Sequence, residues 1–443
     1  WQPIAAGLPA DAPVNAVRED PQRRGLLFAA TEKAVWVSFD DGGHWESLQL
    51  NLPATSMRDV WVHDDDLIVA THGRSIWILD DISRLRQLAG TAPQNVVLMT
   101  PAHAWRVQRS TWTDTPIPPD EPLASNPPAG AVIEFFLPRD ARRPVTLEIL
   151  DARGETVRRF SSGDAPTPGP AEELARELIP SYWLEQPRAL PATRGVHRWV
   201  WDLRYAAPLS VTHGYPISAV PHATPRSPQG PVALPGTYRV RLTVDGRRYE
   251  ENLTLQEDPR VRVTQQALEA QLQLSRRLAE LLTDSSQTLL AARSQREQLK
   301  ALGSRGAMAE QLAHYQAQLE PFLGPERPQA EKAGAKPEGE GQQKPSAEEK
   351  PSAEEKPSAE ELPDVQTHIA SLYAEVLRPD AAPTAAQQSA AESLQGSYKA
   401  LLSQWQQLQA QLPDLNRRLR AARLAPLRTD LPPSRDPNVA EEE

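Results

Sequence analysis

Residues 38–45 read Ser38-Phe-Asp-Asp-Gly-Gly-His-Trp45. The spacing is Ser-x-Asp-x-Gly-x-x-Trp, and it follows two β-rich runs, Gly25 to Ala30 and Ala34 to Phe39. Each residue type has a task in a tight hairpin turn. Gly42 can take positive φ because it has no Cβ. The Asp40 carboxylate can accept hydrogen bonds from turn amides, and Ser38 can add a second local bond. Trp45 opens the next strand and can lay its ring over the turn. Asp40 as a catalytic acid or a calcium ligand is the competing reading. A structural turn accounts for all four residues at once.

The stretch belongs to a repeat. Trp1 is followed by Leu8-Pro9-Ala10 and Trp45 by Leu52-Pro53-Ala54, an offset of 44. Leu27 to Asp41 (LFAATEKAVWVSFDD) matches Leu67 to Asp81 (LIVATHGRSIWILDD) at an offset of 40. Units of about 40–45 residues with several short strands each point to β-propeller blades. The second copy lacks the Gly and Trp of the turn and reads as a degenerate, terminal blade. Two blades cannot close a propeller. Trp1 stands where an earlier turn of the same type would end, so the chain is expected to be the C-terminal part of a longer protein, cut inside the propeller.

SFDDGGHW, the Leu-Pro-Ala after each Trp, and Thr71 to Asp81 (THGRSIWILDD) resemble the Asp-box blades of sortilin-like, bacterial neuraminidase-repeat proteins. These are often named glycosyl hydrolases. The resemblance implies a fold over about the first hundred residues and an exported protein, periplasmic or extracellular. It does not imply one activity, because such propellers include hydrolases, receptors and assembly factors.

Composition narrows the function classes. The chain has 443 residues, enough for about three domains. Its 44 prolines are about twice the usual share. Net charge is −10, with no dense Lys/Arg block, which argues against nucleic acid as the main partner. No apolar run approaches 18 residues, so no membrane span is expected. Cysteine is absent, which removes disulfides, thiol chemistry and Cys-type zinc sites.

Beyond Asp81 the chain is Pro-rich, and residues 101–129 read as a linker. Asn95 to Met99 reads as one more strand, closing the last blade or opening the next domain. Residues 130–259 read as a β-sandwich. Its strands are Ala131 to Leu137, a hairpin from Val145 to Phe160, Val196 to Tyr205, and a hairpin from Tyr238 to Leu255 about Asp245-Gly246. That dipeptide favours a type I′ turn. VTLEILDARGETVRRF, GVHRWVWDLRY and LPGTYRVRLTVDG together resemble the Ig-like module of flagellar hook-capping proteins. Trp199 and Trp201 share one strand face at period two and are expected in the core rather than as a ligand platform. A short helix is expected over Ala171 to Leu178. His213 and His222 stand nine apart in a Pro-rich loop without metal-ligand spacing, so no metal site is assigned.

From Thr264, a candidate N-cap, the chain turns rich in Ala, Leu, Gln, Arg and Glu. Residues 264–323 and 364–431 carry apolar stripes at helical spacing, clearest at Leu394, Tyr398, Leu401, Trp405, Leu408 and Leu412. An antiparallel helical bundle or hairpin satisfies them, with Tyr398 and Trp405 in its core. Self-association through this region stays open. Residues 324–363 hold three tandem KPSAEE units and read as a disordered insert, and residues 432–443 as a loose tail.

The fold class expected is therefore multidomain, mainly β then α: terminal propeller blades, an Ig-like sandwich and a C-terminal helical region. No nucleotide, serine-hydrolase or zincin motif occurs, and no cofactor is called for. Glycosidases need two carboxyl groups flanking the scissile bond, and no pair is marked. His72 and Arg74, in Thr71-His-Gly-Arg74, are the candidate binding residues. They could face a ligand or simply cap a turn. The expected role is scaffold and protein- or glycan-binding. The alternative is an accessory part of a glycoside hydrolase whose catalytic residues lie elsewhere.

Overall fold

A computed structural model describes residues 2–88, 94–107, 127–164, 183–185, 188–215, 224–303, 308–324 and 361–429. The expected helix at 171–178, His222, the KPSAEE units up to residue 360 and the residues after 429 lie outside this set. The chain forms two compact units. The first holds residues 1–166, 186–205 and 233–261 and is built of sheets; the second holds residues 167–185, 206–232 and 262–443 and is built of helices.

The first unit opens with a four-stranded antiparallel sheet in the order of the chain: β1 (Val14–Glu19), β2 (Leu27–Thr31), β3 (Val35–Ser38) and β4 (Glu46–Ser47). A three-stranded sheet follows: β5 (Met57–His63), β6 (Asp66–Thr71) and β7 (Ile76–Leu79). Every residue of β2 is buried, unlike a strand with one wet face. Phe28 and Ala30 share a core with Met57, Val60, Leu67 and Val69 of the second sheet. Leu27 and Ala29 point the other way, under Trp45 and Leu8. A short helix, α1 (Ser83–Gln87), leaves the second sheet. Its Arg86 is pinned by two carboxylates, Asp20 at 3.0 Å and Asp65.

Two further sheets enclose a separate core. One has the order β13 (Gly195–Trp201), β10 (Ala131–Leu137), β8 (Val97–Leu98). The other runs β12 (Thr156–Ser161), β11 (Thr146–Leu150), β14 (Gly236–Val244), β15 (Arg247–Glu257), β9 (Ala104–Arg106). Asp245 and Gly246, at φ 49° and 84°, turn β14 into β15. Trp201 is fully buried and packs edge-on against Tyr238 at 5.3 Å. Trp199 packs at the margin of the same core against Phe160. The Tyr238 hydroxyl donates back to the Leu234 carbonyl at 2.6 Å. Burial holds that phenol above its usual range.

Of the two readings of residues 95–99, the structure takes the second: β8 pairs with β10, so residues 97–98 open this second core. One strand differs from the sequence reading. β9 falls inside the Pro-rich stretch read as linker and pairs in parallel with β15.

The second unit packs α2 (Gln265–Leu302), α3 (Ala309–Leu323), α4 (Leu362–Leu377) and α5 (Ala385–Ala421) around one core. Thr264 caps α2 by accepting from the Ala267 amide at 3.2 Å. Thr384 and Gln387 form a capping box on α5. Tyr398, Leu401, Leu408 and Leu412 are buried within this core, and Leu394 and Trp405 pack at its margin. A buried polar layer crosses it: the Tyr315 hydroxyl donates to Gln295 at 2.9 Å, and Gln295 donates to Gln409 at 2.9 Å. Such a layer favours one helix register over its neighbours.

Candidate functional site

A groove of about 810 Å³ lies in the sheet unit. Three kinds of wall make it: an acidic turn, an aromatic strand and a guanidinium.

The acidic wall comes from the end of the second sheet. Asp64 and Asp65 form the β5–β6 hairpin turn, Asp66 opens β6, and Asp80 and Asp81 follow β7. Internal bonds hold this turn. The Asp81 amide donates to the Asp66 carboxylate at 3.0 Å and the Ile82 amide to the Asp65 carbonyl at 2.7 Å. Arg86 donates to the Asp64 carbonyl at 2.7 Å and pairs with the Asp65 carboxylate. Asp80 is the outlier. Partial burial, and then the neighbouring Asp66 carboxylate, raise its carboxyl above the ordinary aspartate range, while Arg198 opposes them.

The aromatic wall is β9. Parallel pairing with β15 sets its alternation: Ala104 and Arg106 point inward and Trp105 outward. Arg106 is 3% exposed and donates to the Ala233 carbonyl at 3.0 Å, which fixes the strand. Trp105 is 43% exposed and meets His103 edge-to-face at 5.2 Å. Both rings line the groove.

The third wall is Arg198 on β13, beside Gly130. Its Nε donates to Glu134 on β10 at 2.9 Å, and Arg84 of α1 donates to the same oxygen at 2.7 Å. Glu134 is nearly buried, so the two arginines neutralise it and it aims both of them. Gly130 has φ +137°, and a Cβ there would lie 2.1 Å from the Trp201 carbonyl oxygen. Only glycine lets the wall approach this closely. Val107 and Pro127 of the lining border residues 108–126, which are outside the described set.

The chemistry of the groove follows from these walls. Carboxylates accept hydrogen bonds from hydroxyl and ammonium groups, a guanidinium donates, and an exposed indole offers an apolar face with an N–H at its edge. Among the described residues no cluster of His, Asp and Glu has the arrangement of a metal site.

The residues singled out by sequence lie elsewhere. In the Ser38–Trp45 turn, Ser38 donates to Asp40 at 2.8 Å, and the Gly42 amide donates to the Ser38 hydroxyl at 2.9 Å. The His44 amide donates to Asp40 at 2.8 Å. That amide, and then the Ser38 hydroxyl, hold the Asp40 carboxyl below its usual range. Gly42 has φ +85°. Trp45 is 2% exposed and its indole donates to the Ile4 carbonyl at 2.6 Å. His72 and Arg74 sit in the β6–β7 turn, where the His72 amide donates to the Ser56 carbonyl at 2.8 Å and the Arg74 carbonyl accepts from Trp77 at 2.8 Å. Both side chains are exposed, and neither lines the groove, which lies at the opposite end of β6. The signal for the groove was the pair of acidic runs, His63-Asp-Asp-Asp66 and Asp80-Asp81, at neighbouring hairpin ends.

No protein-family model and no curated protein matches the chain. Among solved structures, the chain is similar to two structures of the extracellular domain of BT4673 from B. thetaiotaomicron, described as a hybrid two component system and as a one component system. Identities are 8% and 9%, and TM-scores 0.15 and 0.13. The matches cover 56% of this chain, but 25% and 30% of those chains. Scores this low carry no argument about fold or role. Among the described residues no helix is long and apolar enough to cross a membrane.

Proposed function

We propose that this chain is a glycan-binding part of an exported repeat protein of the sortilin-like, Asp-box propeller type. In this reading the β1–β4 and β5–β7 sheets are propeller blades and the two sheets around Trp201 are an Ig-like module. The groove is the binding site and the chain supplies no catalytic centre. One observation carries the proposal: an exposed indole, Trp105, lines the same groove as five aspartates. An indole face stacks on the C–H face of a pyranose, and carboxylates accept from its hydroxyls. A glycan-array screen of the chain tests it. Binding that Trp105→Ala abolishes supports the reading; no glycan bound, or binding indifferent to Trp105, refutes it.

A second reading rests on Asp80. A carboxyl raised by burial beside a carboxylate, Asp66, is the pairing that hydrolases use as acid and base. Asp80→Asn separates the two readings. It leaves affinity within a few-fold under the binding reading, and removes turnover of a bound glycan under the hydrolase reading.

A further inference from the structure

The aspartates of the groove are unequally matched by positive charge. Asp65 pairs with Arg86. Among the described residues no lysine or arginine forms an ion pair with Asp64, Asp66, Asp80 or Asp81. Asp66 and Asp81 accept from backbone amides instead, those of Asp81 at 3.0 Å and Ser83 at 3.1 Å. Arg198, the guanidinium of the lining, already shares Glu134 with Arg84. The groove therefore holds a surplus of negative charge that the fold itself does not answer.

A cleft lined by one sign of charge concentrates the opposite sign. The cation that suits this cleft is organic. A hard metal ion gathers its oxygens into one tight shell, and among the described residues no such group is formed. Trp105 supplies the complementary feature. An indole face attracts an ammonium through its ring quadrupole, more strongly than the other aromatic side chains. This indole is 43% exposed and lines the same groove as the unpaired carboxylates. A sugar bearing hydroxyls alone would use the ring and a few acceptors, and would leave the surplus charge unanswered.

Resting on the reading of the groove as a glycan site, we infer its ligand class: a glycan of deacetylated amino sugars, whose free amines are protonated. A pyranose ring stacks on Trp105 and its ammonium meets Asp66 and Asp81. Asp80 adds little, because its surroundings disfavour its charge. The same wall repels glycans that carry carboxylate or sulfate. A volume of about 810 Å³ leaves room for more than one linked ring.

The test is calorimetric titration of the chain with a linear glucosamine hexamer and with the same hexamer acetylated on every amine. It is run at about pH 6, where such an amine keeps its proton. The free-amine hexamer is expected to bind at least about tenfold more tightly, with an affinity that falls as salt rises. Asp66→Asn keeps an acceptor for the Asp81 amide and removes the charge. It should weaken the free-amine hexamer at least about fivefold and leave the acetylated one unchanged. Asp81→Asn, which keeps an acceptor for Ser83, should do the same and serves if the first variant does not fold. Equal affinity for the two hexamers, or preference for the acetylated one or for a uronic-acid polymer, overturns the inference and leaves the glycan-binding reading standing. So does binding of neither hexamer by a chain that holds another glycan through Trp105. Amine binding that survives Trp105→Ala is attraction to the net charge of −10 and also overturns it. No glycan bound at all overturns the reading as well.

Discussion

Val35 and Ile76 occupy the same place in two copies of one sheet, yet truncating them has unequal costs. Val35 is fully buried and borders a small cavity of about 40 Å³ beside Leu48, Leu67 and Trp77. Val35→Ala removes two methyl groups from a packed site. The transfer contribution is about 1.6 kcal/mol at roughly 0.8 per carbon. Roughly 50 Å³ of added void contributes about 1 kcal/mol more. The sum is about 2.5 kcal/mol. Ile76→Ala removes three carbons, but the residue is 69% exposed. About a third of roughly 2.4 kcal/mol is lost, near 0.8 kcal/mol, and no cavity forms. Both changes replace a β-branched residue by alanine, so lost strand propensity is common to both. Urea unfolding followed by tryptophan emission, to which buried Trp45 contributes, gives both values. Costs equal within about 0.5 kcal/mol would refute the claim that one face is packed and its counterpart open.

Other variants probe the groove and the turn. Glu134→Gln leaves two arginines without their shared carboxylate and costs about 3 kcal/mol, read as an earlier loss of near-UV dichroism in the sheet unit; a loss under about 1 kcal/mol would show that the arginines need no partner. Asp40 has a lowered carboxyl pKa, so its contribution is full above the ordinary aspartate value of 3.8 and is lost as pH falls through the folded value. Asp40→Asn should therefore be less stable than wild type at pH 7, with the two curves converging in acid; parallel curves would contradict this. Asp80 has the opposite sign, since its raised pKa means that the charged form is disfavoured in the fold. Asp80→Asn should stabilise the chain at pH 7, by an amount that shrinks as pH falls; a destabilised variant at pH 7 would remove the case for that shift.

What was legible in the sequence was local. The Ser38 and Asp40 side chains find their partners within seven residues, and the Asp245-Gly246 turn needs only its own φ angles, so residue types sufficed to read both. The Leu394–Leu412 stripe was equally readable, because its spacing alone selects one helix face. The groove was not readable, because no short stretch contains it. Trp105 lies on a three-residue strand in a Pro-rich stretch, and its place depends on a parallel partner and on Arg106 reaching Glu257, 151 residues on. The aspartate runs were visible as charge, but the wall they face is set by how the second sheet meets β9, β10 and β13. His72 and Arg74 stand out in Thr71-His-Gly-Arg74, yet that turn is held by backbone bonds, one of them to Ser56, at the far end of the sheet.

The account stands most directly on Trp105. Titrating the chain with the glycans selected by an array, and following indole emission, compares wild type with Trp105→Ala and with Trp61→Ala, an exposed tryptophan outside the groove. The account predicts saturable binding in wild type and Trp61→Ala, and its loss by at least about tenfold in Trp105→Ala. Equal affinity in all three proteins, or binding lost only with Trp61, would contradict it.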